Sequence, residues 1–223
     1  AWTVGGTTVS ATSNTLDSSF FGKGDRVSCT ITVNDGTDTD SATSGTSIVE
    51  NTAPVMGTVT LTPATAYEGD TFTCSGTGSD VDGDSLTYSY AWNVTGTTVS
   101  ATGNTLDSSF FGKGDTVSCT ITADDGTDTD SATSGTSTVE NTAPVMGTVT
   151  LAPATAYEGD TFTCRGTGSD VDGDSLTYSY AWTVGGTTVS ATGDTLDSSF
   201  FGKGDTVSCT ITADDGTDTD SAT

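Results

Sequence analysis

Closely spaced aspartates are the residues of this chain whose type and spacing best suit a chemical function. Asp80, Asp82 and Asp84 place three carboxylates within five residues, and Gly83 allows a tight bend between them. Ca2+ takes about six to eight oxygen ligands from flexible acidic loops of this kind, although the glycine and glutamate positions of an EF-hand are absent. The spacing predicts a calcium site, and the alternative is a set of solvated loop acids in Asx turns.

The acidic group recurs because the chain repeats itself with a period of 90 residues, as the spacing of Trp2, Trp92 and Trp182 shows. The copies are nearly identical, and residues 101–133 and 191–223 differ at a single position. A fixed period indicates a tandem array of domains rather than one globular enzyme. The predicted domains are a partial repeat, a complete repeat and a nearly complete repeat, at residues 1–50, 51–140 and 141–223.

The period also places both ends of the sequence inside a repeat. Ala1 has the phase of Ala91, and Thr223 has the phase of Thr133. We therefore expect the sequence to be a window of a longer chain, with any export signal or anchor outside it. The window contains no apolar run of the roughly 20 residues that cross a bilayer.

Negative charge excludes several classes of function. The period 52–141 carries twelve acidic residues and the single base Lys113, which leaves eleven negative charges. Nucleic acid is excluded as a partner because phosphate contacts need lysine and arginine. Histidine is absent, which removes the usual general base at neutral pH and the commonest zinc ligand, so we do not expect an enzyme. A chain of this charge repels itself unless cations neutralise it.

Short segments alternate apolar and hydroxyl residues with a period of two, which predicts an all-β fold. Residues 117–122 and 86–92 show this alternation clearly. The strands recur about every ten residues and are separated by turns rich in glycine, aspartate and proline, which is the spacing of a β-sandwich. Threonine-rich chains also form disordered mucin-like stalks, but the regular placement of aromatic residues and cysteines argues against disorder.

The order and spacing of Cys74, Trp92 and Cys119 resemble those of the immunoglobulin-like sandwich, with cysteines on strands B and F and a tryptophan on strand C. The resemblance implies tandem immunoglobulin-like domains with disulfides from Cys74 to Cys119 and from Cys164 to Cys209. Such bridges indicate an extracellular protein, because they persist in oxidising surroundings. The alternatives are buried free thiols or a zinc site.

Other segments are similar to bacterial and archaeal surface repeats of the Ig-like, PKD-like and cadherin-like kind. The resemblance covers residues 51–55, the acidic run 80–88 and the hairpin 124–127, whereas Val117 replaces the corner tyrosine of antibody domains. Cadherin-like repeats bind calcium at domain junctions, where the linker, the B–C loop and the F–G loop share one pole. The implied ligands at the two junctions are Glu50, Asn51, Asp80, Asp82, Asp84, Asp124 and Asp125, and then Glu140, Asn141, Asp170, Asp172, Asp174, Asp214 and Asp215.

These inferences favour a structural extracellular surface fibre that is stiffened by Ca2+ and associates with itself or with neighbouring repeats. The alternative is the stalk of a cell-surface adhesin that presents a distal binding domain. Near-identical repeats favour the fibre, because a polymer repeats one contact while a ligand site usually lies on one divergent domain. The outward threonines and serines and the sequon at Asn93 suit glycans, although the other repeats lack the sequon.

Overall fold

The computed structural model describes all of residues 1–223 and consists of β-strands, turns and two single turns of 3-10 helix, Ser18–Phe20 and Ser108–Phe110. None of its helical segments has the length and apolar character of a membrane span. We refer to residues 1–50, 51–140 and 141–223 as units one, two and three. The strands of unit one are β1 (Trp2–Val4), β2 (Thr7–Val9), β3 (Arg26–Asn34), β4 (Thr39–Thr43) and β5 (Ser47–Ile48).

Unit two contains two facing sheets and a short additional ribbon. Its strands are β6 (Val55–Met56), β7 (Thr60–Thr62), β8 (Ala66–Tyr67), β9 (Thr71–Ser75), β10 (Gly78–Ser79), β11 (Thr87–Val94), β12 (Thr97–Val99), β13 (Thr105–Asp107), β14 (Thr116–Asp124), β15 (Thr129–Thr133) and β16 (Ser137–Glu140). One sheet has the order β12-β11-β14-β16-β8, with β15 also on β14, and the other has the order β13-β9-β7. The ribbon pairs β10 with β6.

Alternating burial along the strands builds the core of unit two. In β14 every second residue is buried, which is the period of two that a strand with one packed face requires. Trp92 is opposite Cys119 in the β11–β14 ladder, and both are buried. The disulfide between Cys74 of β9 and Cys119 of β14 joins the two sheets over a sequence separation of 45 residues. Phe72 and Phe111 complete this core with an edge-to-face contact at 5.1 Å between ring centroids.

Unit three repeats this arrangement with fewer strands: β17 (Val145–Met146), β18 (Thr150–Ala152), β19 (Phe162–Arg165), β20 (Gly168–Ser169), β21 (Thr177–Val184), β22 (Thr187–Val189), β23 (Thr195–Leu196), β24 (Val207–Asp214) and β25 (Thr219–Ala222). A second disulfide joins Cys164 to Cys209. Fourteen buried residues form the core of unit two and eight form that of unit three. Unit one has the β1–β5 strands only, and its Cys29 is a free thiol.

The fold is therefore all-β and consists of tandem immunoglobulin-like sandwiches, as the sequence predicted. Each sandwich has its own core, and each disulfide lies within one unit. The long strands β11 and β14 run the length of unit two, so the turns at their ends lie at its two poles. These poles are where neighbouring units meet.

Candidate functional site at the unit junctions

The loop between β10 and β11 brings the carboxylates of Asp80, Asp82 and Asp84 together. One oxygen of each lies within 4.8 Å of the other two. Asp80 Oδ1 accepts hydrogen bonds from the backbone N–H groups of Asp82 at 2.8 Å and Asp84 at 3.2 Å. Gly83 has a φ of 80°, a conformation that glycine adopts at little cost. The loop backbone thus folds around Asp80, and we call these three residues the first acidic group.

The loop between β20 and β21 repeats this geometry in unit three. Asp170, Asp172 and Asp174 again place one oxygen each within 4.8 Å of the others, and we call them the second acidic group. The backbone N–H of Thr142 in the incoming linker donates to Asp172 Oδ2 at 2.7 Å, as that of Thr52 donates to Asp82 at the same distance. The linker that enters each unit is therefore tied to its acidic group.

Several oxygens in these groups are buried but have no hydrogen-bond partner. They are Asp80 Oδ2, Asp170 Oδ2 and Asp172 Oδ1, and Thr142 Oγ1 beside the second group is in the same state. A buried carboxylate oxygen without a partner is costly, and native proteins rarely leave one. Ca2+ binds oxygen at about 2.3–2.6 Å, so oxygens within 4.8 Å of each other fit around one such ion. The donor set and the separations both fit Ca2+.

A lysine from the preceding unit already reaches the first acidic group. Lys23 Nζ donates to Asp84 Oδ2 at 2.5 Å and to Asn51 Oδ1 of the linker at 2.9 Å. The pKa of Lys23 lies above its ordinary value, chiefly because of its hydrogen bond to Asp84. The lysine is therefore charged at neutral pH and offsets part of the negative charge of the group.

The second junction has the same contacts. Lys113 Nζ donates to Asp174 Oδ2 and, at 3.0 Å, to Asn141 Oδ1. The pKa of Lys113 is raised chiefly by its hydrogen bond to Asp174. Both ion pairs join residues that are 61 positions apart in sequence, so each joins one unit to the next. The two junctions are copies of one contact.

The linker asparagine also binds the F–G hairpin of the unit that follows it. Asn51 Nδ2 donates to Asp125 Oδ2 at 3.0 Å and to Asp128 Oδ2 at 2.7 Å. The pKa of Asp125 is lowered, first by this amide and then by the backbone N–H of Asp128. At the second junction Asn141 makes the same two contacts, with Asp215 at 3.0 Å and Asp218 at 2.9 Å. Each asparagine connects the lysine of one unit to the hairpin of the next.

The remaining predicted ligands lie outside the two acidic groups. Asp124 Oδ1 accepts a hydrogen bond at 2.7 Å from Gly126 in its own turn, and Asp214 does the same with Gly216. Glu140 is an exposed residue of β16. The other predicted residues outside the groups are Glu50, with no hydrogen bond to either group, the linker residues Asn51 and Asn141, and Asp125 and Asp215, which bind the amides of those asparagines.

Sequence reasoning missed four contributors at the first junction: Lys23, Thr52, Asp128 and Asp130. Asp130 Oδ2 accepts from the backbone N–H of Met56 at 2.7 Å, which ties the F–G hairpin to the first strand of its unit. A signal for the lysine was present in the sequence. The period 52–141 has only one base, and that base occupies a Gly-Lys-Gly turn at the pole opposite the acidic loop.

No protein-family profile matches this chain, and no curated protein sequence matches it. Solved structures of tandem domains are similar to it in fold. The three N-terminal domains of the bacteriophage RB49 Highly Immunogenic Outer Capsid protein (Hoc) share 16% identity over 76% of this chain, with a TM-score of 0.29. This chain spans 57% of the length of that structure.

Two further structures show the same kind of similarity. The FN1-FN3 domains of chicken CNTN1 share 10% identity over 86% of this chain and 70% of that chain, with a TM-score of 0.29. Domains from titin share 14% identity over 91% of this chain and 72% of that chain, with a TM-score of 0.32. At these identities the likeness concerns the fold alone.

Proposed function

We propose that this chain is part of a structural extracellular surface fibre in which identical junctions align immunoglobulin-like units in series. The observation that carries the proposal is the repetition of one cross-unit contact, Lys23 with Asn51 and Asp84, and Lys113 with Asn141 and Asp174. A repeated contact gives a repeated angle between units. Repeating units in this way produces a regular rod.

The disulfides support a place outside the cell. Each full sandwich has one bridge between its sheets, and bridges of this kind persist in oxidising compartments. The likeness of the linker and acidic loops to bacterial and archaeal surface repeats suits a surface protein of such a cell. Neither acidic group has a basic partner within its own unit that would form an acid-base pair, which supports a structural rather than an enzymatic role.

We further propose that Ca2+ binds the acidic groups and stiffens the junctions. The unpartnered oxygens of Asp80, Asp170 and Asp172 would be its ligands, together with carboxylate oxygens from the same loops. The lysine supplies one positive charge against three carboxylates, so a net negative charge is left at each group. A divalent cation neutralises that remainder and joins the loop to the linker.

The test compares the melting temperature and the small-angle scattering profile of the chain in Ca2+ and in chelator. Ca2+ should raise the melting temperature, because a ligand that binds only the folded state stabilises that state by about 2.7 kcal/mol at a hundredfold excess over Kd. Ca2+ should also narrow the range of particle lengths in the scattering profile. Asp172→Asn should weaken the response of the second junction, because the amide keeps an oxygen for Thr142 but loses the charge.

Asp194→Asn is the matched control, since it makes the same charge change in the same unit and asparagine is the natural residue at the equivalent Asn104. It should leave the Ca2+ response unchanged. Identical melting and scattering in Ca2+ and chelator would remove calcium from the proposal and leave the lysine contacts as the junction. Electron microscopy of native material would separate a fibre of repeats from a stalk that carries a distinct domain at its tip.

A further inference from the structure

Unit two departs from the other units at the turn between β11 and β12. Residues 2–6 and 182–186 both read Trp-Thr-Val-Gly-Gly, whereas residues 92–96 read Trp-Asn-Val-Thr-Gly. The two differences, Asn93 and Thr95, flank the unchanged Val94 and together create the sequence Asn-Val-Thr. This is the acceptor pattern for N-linked glycans, and it occurs nowhere else in the chain.

Thr95 occupies a turn position that suits glycine. Its φ is 48°, and the equivalent Gly5 and Gly185 have φ values of 55° and 57°. Thr95 is the one non-glycine residue of the chain with a positive φ. A β-branched residue is disfavoured there, because its Cβ lies too close to the following carbonyl oxygen. Local structure alone therefore favours glycine, and a threonine at this position needs another explanation.

The turn does not need the hydroxyl of Thr95. The backbone N–H of Thr95 donates to Thr116 O at 2.8 Å. In unit three the backbone N–H of Gly185 donates to the equivalent Thr206 O at 2.9 Å, so the turn closes in the same way without a side chain. Thr95 Oγ1 donates to Asp115 Oδ1 at 2.6 Å, which offsets part of the strain. The hydroxyl therefore compensates for a residue that the fold does not require.

Asn93 presents its amide nitrogen to solvent. It lies between Trp92 and Val94, which are buried, so its side chain is on the outer face of β11. Asn93 Oδ1 accepts from the backbone N–H of Gly96 at 2.9 Å, which fixes the side chain beside the turn. Asn93 Nδ2 has no hydrogen-bond partner in the protein and is not buried. The amide nitrogen is therefore open to modification.

The surface around Asn93 has room for a bulky substituent. The residues opposite it in the neighbouring strands are Thr98 and Ser118, and the preceding residue on the same face is Ala91. All three side chains are small. At the equivalent position units one and three have threonine, which strands favour more than asparagine. Asn93 is thus, like Thr95, a change that the local structure does not favour.

We propose that Asn93 carries an N-linked glycan. Asn93 Nδ2 attacks C1 of a sugar that is esterified to a lipid phosphate. The N–C1 bond forms, the C1–O bond breaks, the lipid phosphate leaves, and one amide proton passes to solvent. Thr95 supplies the hydroxyl that the acceptor pattern requires. Two changes that are each unfavourable for the fold thus produce one acceptor site together, and neither produces it alone.

The glycan goes beyond the proposed fibre and requires only its extracellular location, because N-linked glycans belong to exported proteins. The test is mass spectrometry of the digested chain from its native cells, with the disulfides mapped in the same digest. The peptide that contains Asn93 should carry the added mass of sugar residues. A bare Asn93 beside an intact bridge between Cys74 and Cys119 would overturn the glycan and leave the extracellular location. A bare Asn93 with free thiols would overturn both.

Variants of the full chain, produced in the same kind of cell, test the two residues. Thr95→Gly installs the residue of units one and three, so it should abolish the glycan and leave the circular dichroism spectrum unchanged. Thr95→Ser keeps a hydroxyl and should keep the glycan. Thr183→Asn combined with Gly185→Thr transfers the acceptor pattern to unit three and should give two glycans per chain. A glycan that persists in Thr95→Gly, or a transferred pattern that stays bare, would overturn the inference.

Discussion

At the scale of single residues, the linker asparagines connect the largest number of groups at each junction. Asn51 accepts from Lys23 and donates to Asp125 and Asp128. Only a side-chain amide offers an acceptor and two donors at one position. An aspartate at this position would keep the acceptor for the lysine but would add a carboxylate beside two others. The identity of this residue therefore follows from the charges around it.

Asn51→Ala should raise the pKa of Asp125 towards its ordinary value, because the amide is the largest cause of the lowered pKa. NMR titration of the side-chain carboxyls would measure this change. Asp107 is the internal control, since its lowered pKa comes from Ser109 and not from the linker. An unchanged Asp125 titration in the variant would contradict the hydrogen bond.

The same pKa fixes the sign of the pH dependence of the junction. The pKa of Asp125 is lower in the folded state than in the unfolded state. The stabilisation that this carboxylate gives to the folded state is therefore fully present above the unfolded pKa and is lost as the pH falls through the folded pKa. The linker contact should be unaffected between pH 7 and about pH 5 and should weaken below about pH 4. Scattering profiles recorded across this range should broaden only at the acid end.

The disulfide is the second residue-scale feature with a measurable effect. Replacing Cys74 and Cys119 together with alanine should destabilise unit two by about 2–5 kcal/mol, as removal of a bridge does in small extracellular domains. Cys29→Ser should have no effect on unit two, because Cys29 is a free thiol in another unit. Chemical denaturation followed by tryptophan fluorescence would compare the variants. Equal stability of the double variant and the wild type would show that the bridge is not formed.

At the scale of elements, the strands that close a sandwich determine whether its core is covered. In unit one, Ile31 and Val33 are 68% and 63% exposed, whereas the equivalent Ile121 and Ala123 of unit two are fully buried. Unit one lacks counterparts of β7 and β9, which provide the second sheet of unit two. The strand pattern alone is thus insufficient to bury the apolar side chains of a unit, because a sheet without its facing sheet leaves its apolar face in water.

A fragment of residues 1–50 should therefore fail to fold on its own. Circular dichroism and NMR should show no cooperative melting and little dispersion of amide signals. The matched control is residues 51–140, which contain both sheets and the bridge and should fold as a monomer. A monomeric 1–50 fragment with a cooperative transition would contradict the strand assignment of unit one.

At the scale of the whole molecule, the apolar cores are separate, whereas the negative charge is spread along the whole chain. The buried apolar residues of units two and three form two separate clusters, so no continuous core joins these units, and the chain has a net charge of -25. Repulsion between like charges favours separated units, and the lysine contacts oppose it at each junction. The molecule is thus held together by polar contacts between units and by apolar burial within them.

Units two and three should unfold as separate transitions, because each has its own apolar core and its own disulfide. Calorimetry would show two transitions. The single variants Trp92→Phe and Trp182→Phe, each followed by fluorescence, would assign one transition to each unit. A single transition would indicate that the junction couples the units fully.

The sequence by itself determined the repeat, the all-β class and the order of the core residues. These properties are local, because side chains alternate between the two faces of a strand and the period of 90 residues repeats each local pattern. The grouping of Asp80, Asp82 and Asp84 was readable for the same reason, since five residues of one loop contain it. The disulfide pairing followed from the resemblance to the immunoglobulin-like sandwich and is present in the structure.

Only the tertiary structure decided how the units meet. The contact between Lys23 and Asp84 spans 61 residues, and its existence depends on where the pole of one unit directs the next. The predicted ligands divide into two sets, because Asp125 binds the linker amide of Asn51 while Asp80 accepts from the backbone of its own loop. This division depends on the same orientation. Long-range positions of this kind are set by packing and chain direction, which local alternation does not encode.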